Sequence, residues 1–293
     1  MGTSKGYGGP PNGLVPSWLE SPAGESGGGN GDAEDNGDAD ENDADSSSDG
    51  SSVSHAPDSG ALTGARTAFT RFLKNGSSST LGSALAGYVG GSNGRGSGGG
   101  GGSGGARRAA QRMGASRATG SRLLGVVRDF QRIGALDTLR RLDLDRMVDR
   151  PATEVFLSML EFLCPPGGAI DEAISRQAML EAIGNLDGAG PAEFGQLTPE
   201  QLREFFLDFI SLSIEGRVIA DIGSRGITLA ADVESVERTQ EQLRDFINGC
   251  CRAHLSGLLT GVDGLTDREL EQRSNEIYEA AFQLIADAGE DAQ

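Results

Sequence analysis

Cys250 and His254 stand four residues apart, a spacing that puts both on one face of a helix. There they could share a metal ion or act as a thiol nucleophile and its base. Neither chemistry is completed by the rest of the chain. No third ligand follows at a matching spacing, and the other His, His55, lies in an acidic tract. One helical turn rarely sets the geometry for Cys–His attack, and no Asn or Asp can be identified as the orienting group. A packed Cys and a hydrogen-bonded His are the simpler account. Cys164, Cys250 and Cys251 are an odd count with two adjacent, so no disulfide framework is expected and a reducing cytoplasm fits. Paired acids such as Asp171-Glu172 read as solvated helix faces. With no nucleotide, metal or triad signature, the chain is read as non-enzymatic, with no catalytic residue, no metal and no cofactor.

A second group is basic. Arg107, Arg108, Arg112, Arg117 and Arg122 fall within seventeen residues that contain no acid, a density that could grip phosphates or another anion. No aromatic residue is interleaved to stack bases. Charge is distributed in blocks: residues 1–60 carry one Lys against twelve acids, 61–128 carry ten Lys or Arg and no acid, and 129–293 carry fourteen basic and thirty-one acidic residues. A basic middle between acidic ends can pair within the molecule or with an acidic partner. The net charge of −18 argues against nucleic-acid binding by the isolated chain and against acidic membranes.

The third group is the amino terminus. Gly2 is small enough for removal of Met1, which would leave a glycine α-amine with an ordinary pKa near about 8 and a usable neutral fraction at neutral pH. An unhindered glycine can enter a narrow site on another protein, which makes Gly2 a candidate acceptor. Tyr7 and the stretch Leu14-Val15-Pro16-Ser17-Trp18-Leu19 follow, with the chain's one Trp. A segment that cannot fold alone has no internal use for Trp18, so it reads as an anchor for the body or for a partner. The start resembles a myristoylation signal, but Gly6 stands where that signal wants Ser or Thr.

The elements that must position these groups are helical. The 46 Gly are too many for a fully globular chain. Residues 21–60 are Gly, Asp, Asn, Ser and Glu, and read as a disordered tether whose forty residues span about 35 Å root-mean-square. Its alternating acids lack the distal Glu and flanking helices of a calcium loop. Leu62, Ala65, Phe69, Phe72 and Leu73 predict one short amphipathic helix, and Leu81, Leu85, Tyr88 and Val89 a second. Five consecutive Gly at 98–102 sit in a linker that lacks the Lys-Ser/Thr ending of a phosphate loop. Beyond it, helical spacing recurs: Leu123, Val127 and Phe130; Leu136, Leu139 and Leu142; Val155, Phe156, Met159, Leu160 and Leu163 up to Pro165-Pro166; Ile170, Ala173, Ile174, Ala178 and Ile183. Thr198-Pro199-Glu200-Gln201 and Thr266-Asp267-Arg268-Glu269 are helix starts. The first opens onto Leu202, Phe205, Phe206, Phe209 and Ile210. The second opens onto Leu270, Ile277, Ala281 and Leu284. Between them a long helix over 232–258 should turn Val236, Leu243, Phe246, Ile247, Cys250 and Leu258 inward. No alternating run is long enough for a strand, no apolar run is long enough for a membrane span, and no signal peptide is expected. The fold class is all-α, a helical bundle or irregular helical array with a long disordered Gly/Asp-rich N-terminal region. Its divisions are a recognition tail (1–20), an acidic tether (21–60), short amphipathic helices packing on the body (61–92), a Gly/Ser linker (93–105) and an all-α domain (106–293).

Three stretches together resemble the QatB family of bacterial Qat anti-phage systems. They are Met1-Gly2-Thr3-Ser4, Tyr7-Gly8-Gly9 and Leu14 to Leu19; Gly104-Gly105-Ala106-Arg107-Arg108 with Met113 to Arg117; and Leu163-Cys164-Pro165-Pro166-Gly167-Gly168-Ala169-Ile170-Asp171-Glu172-Ala173-Ile174. The resemblance implies a four-component defence system whose other members are an ATPase, a QueC-like protein and a TatD-like nuclease. It also implies that this chain partners the QueC-like protein, which would join a deazaguanine base to Gly2. Thr3, Ser4, Tyr7, Gly8, Gly9, Trp18 and Leu19 would then contact the partner. Lys5-Gly6 and Pro10-Pro11 depart from the family's texture. A nucleic-acid-binding adaptor using Arg107 to Arg122, or a structural scaffold, are the alternatives.

Overall fold

The computed structural model of the chain describes residues 62–91, 103–164, 169–188, 193–223 and 233–292. Helical spacing becomes eleven α-helices among these residues, with no strand and one isolated bridge between Pro151 and Glu193. The expected all-α class is the one observed. The recognition tail, the acidic tether and most of the Gly/Ser linker lie outside the described residues.

α1 (Thr63–Asn75) and α2 (Ser78–Gly91) form a hairpin. Gly76 turns it with a left-handed φ of 62°, and its N–H closes on the Phe72 carbonyl at 2.8 Å. The faces read from the sequence are the buried ones: Leu62, Ala65, Phe69 and Phe72 on α1, and Leu81, Leu85, Tyr88 and Val89 on α2. α3 (Ser103–Gln111) takes in the last residues of the expected linker, and α4 (Gly114–Ile133) and α5 (Ala135–Arg140) follow. The expected single helix over 152–163 is two, α6 (Ala152–Ser158) and α7 (Leu160–Leu163), broken at Met159. α8 (Ile170–Gly188), α9 (Pro199–Gly223), α10 (Val233–Leu255) and α11 (Asp267–Asp291) complete the body.

Both helix starts are realised. Thr198 Oγ1 accepts from the Gln201 N–H at 3.2 Å while Gln201 Oε1 accepts from the Thr198 N–H at 2.8 Å. Thr266 and Glu269 make the same reciprocal pair at the head of α11.

α9 is the axle. It packs against α8, α10, α4 and α1, and its buried side chains run from Leu202 to Ile222 on every side. α11 covers α2, α3, α4 and α10. An aromatic stack ties α4, α6 and the turn at Phe194–Gln196 to α9: Phe130 meets Phe194, Phe194 meets Phe156, and Phe156 meets Phe205 at 4.2 Å between ring centres.

Several inward assignments shift, and Ala173 of α8 is among the exposed residues. Ile170 is 72% exposed, because the first residue of α8 faces a surface groove and not the core. Leu136 is also exposed, on a helix of six residues that buries only Thr138 and Leu139. On α10 the seam is Leu243, Ile247, Cys251 and Leu255, a strict four-residue stripe, with Val236, Phe246, Cys250 and Leu258 flanking it half-buried.

α2 crosses α11 where Gly82 meets Gly289. A Cβ on Gly289 would stand 2.5 Å from the Gly82 carbonyl oxygen, and one on Gly82 would stand 2.8 Å from the Gly289 oxygen. Neither neighbour can yield, because both are backbone. Gly289→Ala should therefore lower stability by about 1–3 kcal/mol. Gly184→Ala, in an exposed stretch of α8 with nothing near the new methyl, should raise it by about 0.5–1 kcal/mol. Chemical denaturation of the two variants checks the contrast.

Candidate functional site

The second half of α9 carries charge through the middle of an apolar helix. Asp221 is buried and gathers groups from three elements. It accepts the Tyr88 hydroxyl of α2 at 2.8 Å and Arg217 Nε, one turn earlier on α9, at 3.2 Å. Arg112, from the turn between α3 and α4, places Nε at 3.5 Å from the same carboxylate and its guanidinium carbon 5.3 Å above the Tyr88 ring. The Asp221 main-chain carbonyl accepts Arg66 Nη2 of α1 at 3.1 Å. One residue thus fastens the α1–α2 hairpin to the body.

Arg217 turns its other side to Asp171 of α8, at 3.9 Å. Asp171 is 5% exposed, not on a solvated face. The reason lies at the head of α4, where Met113 supplies no side-chain cap. Asp171 caps that helix from another element: Oδ2 accepts the Ala115 N–H at 2.6 Å, and Oδ1 faces Ser116 Oγ at 3.5 Å. Burial pushes the Asp171 carboxyl above its ordinary value, opposed by the Ala115 N–H and Arg217. The same turn of α4 is held from α11. The Ser116 carbonyl accepts the Tyr278 hydroxyl at 3.3 Å, the Arg117 carbonyl accepts Ser274 Oγ at 2.9 Å, and Tyr278 shares a 2.8 Å hydrogen bond with Ser213 of α9.

The five arginines of the basic stretch divide by environment. Arg112 belongs to the Asp221 cluster. Arg117 donates to Asn275 Oδ1 at 2.8 Å, and Arg122 to the Leu163 carbonyl at 3.1 Å, closing the end of α7. Arg107 and Arg108 are exposed, and Arg107 stands 3.8 Å from Glu279. Gly2, Thr3, Ser4, Tyr7, Gly8, Gly9, Trp18 and Leu19 lie outside the described residues, as does His55.

His254 is exposed near the end of α10, and Cys250 is half-buried. Cys251 is fully buried, and burial pushes its thiol up to about 12. Burial also pushes up Cys164, whose Sγ faces the Ser175 carbonyl at 3.9 Å. These thiols are held protonated at neutral pH. Among the described residues no group of three or more His, Cys, Asp or Glu is arranged to hold a metal ion, and no helix is long and apolar enough to cross a membrane.

Grooves open on the surface of the described residues, and two of them are lined by several helices. One, of about 280 Å³, runs among α4, α5, α7 and α11 past the exposed ring of Phe162. Its charges answer one another: Arg128 reaches Asp129 and Asp267, and Arg141 reaches Asp129 at 2.7 Å. The other, of about 340 Å³, lies between α8 and α9 and is mainly apolar.

Sequence reasoning missed Asp221, Arg217 and Tyr88. A signal was available: Glu215, Arg217 and Asp221 interrupt a largely apolar stretch of α9, and charges at such positions demand partners.

A family model described as QatB, Qat anti-phage system associated protein QatB, matches residues 104–285, from α3 into α11. No curated protein and no solved structure matches the chain.

Removing the Asp221 carboxylate takes from the buried Arg112 and Arg217 an acid that both face, and from the Tyr88 hydroxyl its acceptor. Asp221→Ala should cost about 3–5 kcal/mol. Arg107→Ala, which breaks an exposed pair, should cost no more than about 1 kcal/mol. Urea unfolding of both variants measures the difference.

Alkali should destabilise the fold. The unfolded Cys251 thiol loses its proton near its ordinary value of 9.0, while the folded one holds it to about 12. Across that window the folded state binds the extra proton, so stability falls as pH rises. Burial raises Tyr88 and Tyr278 in the same direction. Cys251→Ala should flatten the slope of unfolding free energy against pH between these values, read from urea midpoints.

Proposed function

The chain belongs to the QatB family, which makes it a component of an anti-phage defence system, and on that footing we propose that it works by presentation. Its helical body engages a QueC-like partner. Its amino terminus offers the Gly2 α-amine to that partner's active site as acceptor for a deazaguanine-type modification. The chain itself supplies no catalytic group, and it acts in the cytoplasm beside the system's ATPase and TatD-like nuclease.

The observation that carries this reading is the family match over the helical body, taken with a first residue after Met1 that has no side chain. A neutral glycine amine is a nucleophile with no steric shield. The body's buried acids favour a carrier as well, because Asp171 and Asp221 are already occupied by an N–H, two arginines and a tyrosine. The alternative of a nucleic-acid adaptor is less favoured. Arg112, Arg117 and Arg122 are engaged within the body, which leaves Arg107 and Arg108 as the exposed cations of that stretch.

The test is mass analysis of the intact chain and of its N-terminal peptide after co-expression with the QueC-like partner. The expected result is loss of Met1 and an added mass on Gly2. Gly2→Pro, or extra residues ahead of Gly2, should abolish the adduct and phage protection together while the body still binds. An unmodified terminus in a system that protects cells would overturn the acceptor role.

A further inference from the structure

Resting on the reading that the body seats on a partner protein, we propose that the seat is the apolar face shared by α8 and α9. The matching surface of the partner is an apolar ridge flanked by Lys or Arg. Ile170, Ala173 and Ile174 of α8 face Leu212 and Gly216 of α9 across the groove of about 340 Å³. Ile170 is 72% exposed, and Ile219, one turn beyond Gly216 on the same side of α9, is 37% exposed. Single apolar residues on a surface are ordinary, but several along one groove mark an interaction site. The groove depends on glycine. A Cβ at position 216 would stand 3.1 Å from Ile174 Cγ2, so any larger residue would crowd the floor. Two packed helices with such a furrow accept a ridge of side chains from a third element.

Charge selects the occupant. Glu181 and Glu215 stand on the groove wall and both lean on Arg244, which donates Nε to Glu215 at 2.9 Å and Nη2 to Glu181 at 3.1 Å. Two carboxylates sharing one guanidinium leave the wall negative. The surrounding sequence has the same sign, with fourteen basic against thirty-one acidic residues over 129–293. An acidic partner surface is repelled here, and a basic one is drawn in and oriented.

The test uses the full chain and the QueC-like protein in a titration calorimeter. Ile170→Lys and Ile219→Lys should each raise Kd about tenfold or more. Ile170→Glu should do so by less, because its charge suits a basic partner, and binding should weaken as salt rises. Circular dichroism should stay unchanged for Ile170→Lys, whose side chain is already in water. Leu157→Lys, at an exposed position on α6, should bind like the parent. Wild-type affinity for both Ile170→Lys and Ile219→Lys overturns the α8–α9 seat. A larger loss with Glu than with Lys at position 170 overturns the basic partner surface. A parent chain that binds no QueC-like protein overturns this proposal together with the reading beneath it. Gly2→Pro should bind like the parent, which separates failure of the acceptor role from failure of the seat.

Discussion

A buried carboxylate must find cations and donors or become too costly to keep. Asp221 meets that demand with groups from α2, from the α3–α4 turn and from its own helix, and its carbonyl adds a group from α1. Arg217 then links it to Asp171, and Asp171 holds the start of α4. The relay fixes five elements relative to α9 with a handful of polar contacts. The apolar side chains supply most of the driving force, but many helix arrangements would bury them. The observed arrangement satisfies Asp221, Arg217 and Asp171 at once.

This division of labour shapes what the surface can do. Charges inside the body serve its architecture, and the thiols are held protonated by burial. Among the described residues, the exposed arginines of α3 and the grooves beside α4 and between α8 and α9 stand at the surface. In this member of an anti-phage defence family, the buried charges of the body are committed to one another.

The helices were legible because each carries its own local code. Thr198-Pro199-Glu200-Gln201 and Thr266 to Glu269 announce their caps within four residues, and the apolar spacing of α1 and α2 names their buried faces. What could not be read was long-range. Asp171 beside Glu172 looks like any solvated acidic pair until the head of α4 is brought against it, 56 residues away in sequence. Arg112, Arg117 and Arg122 look like one basic patch, yet helical turns send them to three different partners. The α10 seam was read correctly at Leu243 and Ile247 but not at the cysteines, since Cys250 and Cys251 are equally apolar and only the neighbouring helix selects between them. Two stretches that carry the family resemblance, Met113 to Arg117 and Leu163 to Ile174, prove to be structural partners through Asp171, so their texture records packing. Gly2 was read as a candidate acceptor from its small size and unhindered amine, the resemblance added the partner, and the residue lies outside the described ones.

The crossing of Gly82 and Gly289 has a consequence for the order in which the chain is made. The hairpin α1–α2 leaves the ribosome early, but the surface it packs on, α11, is translated last. At about 5–20 residues per second, some two hundred residues of synthesis separate the two, or roughly 10–40 seconds. Tyr88 waits for Asp221 through the first part of that interval and for Phe282 through nearly all of it. The hairpin therefore docks late, and the crossing of Gly82 and Gly289 is among the last contacts of the body to form.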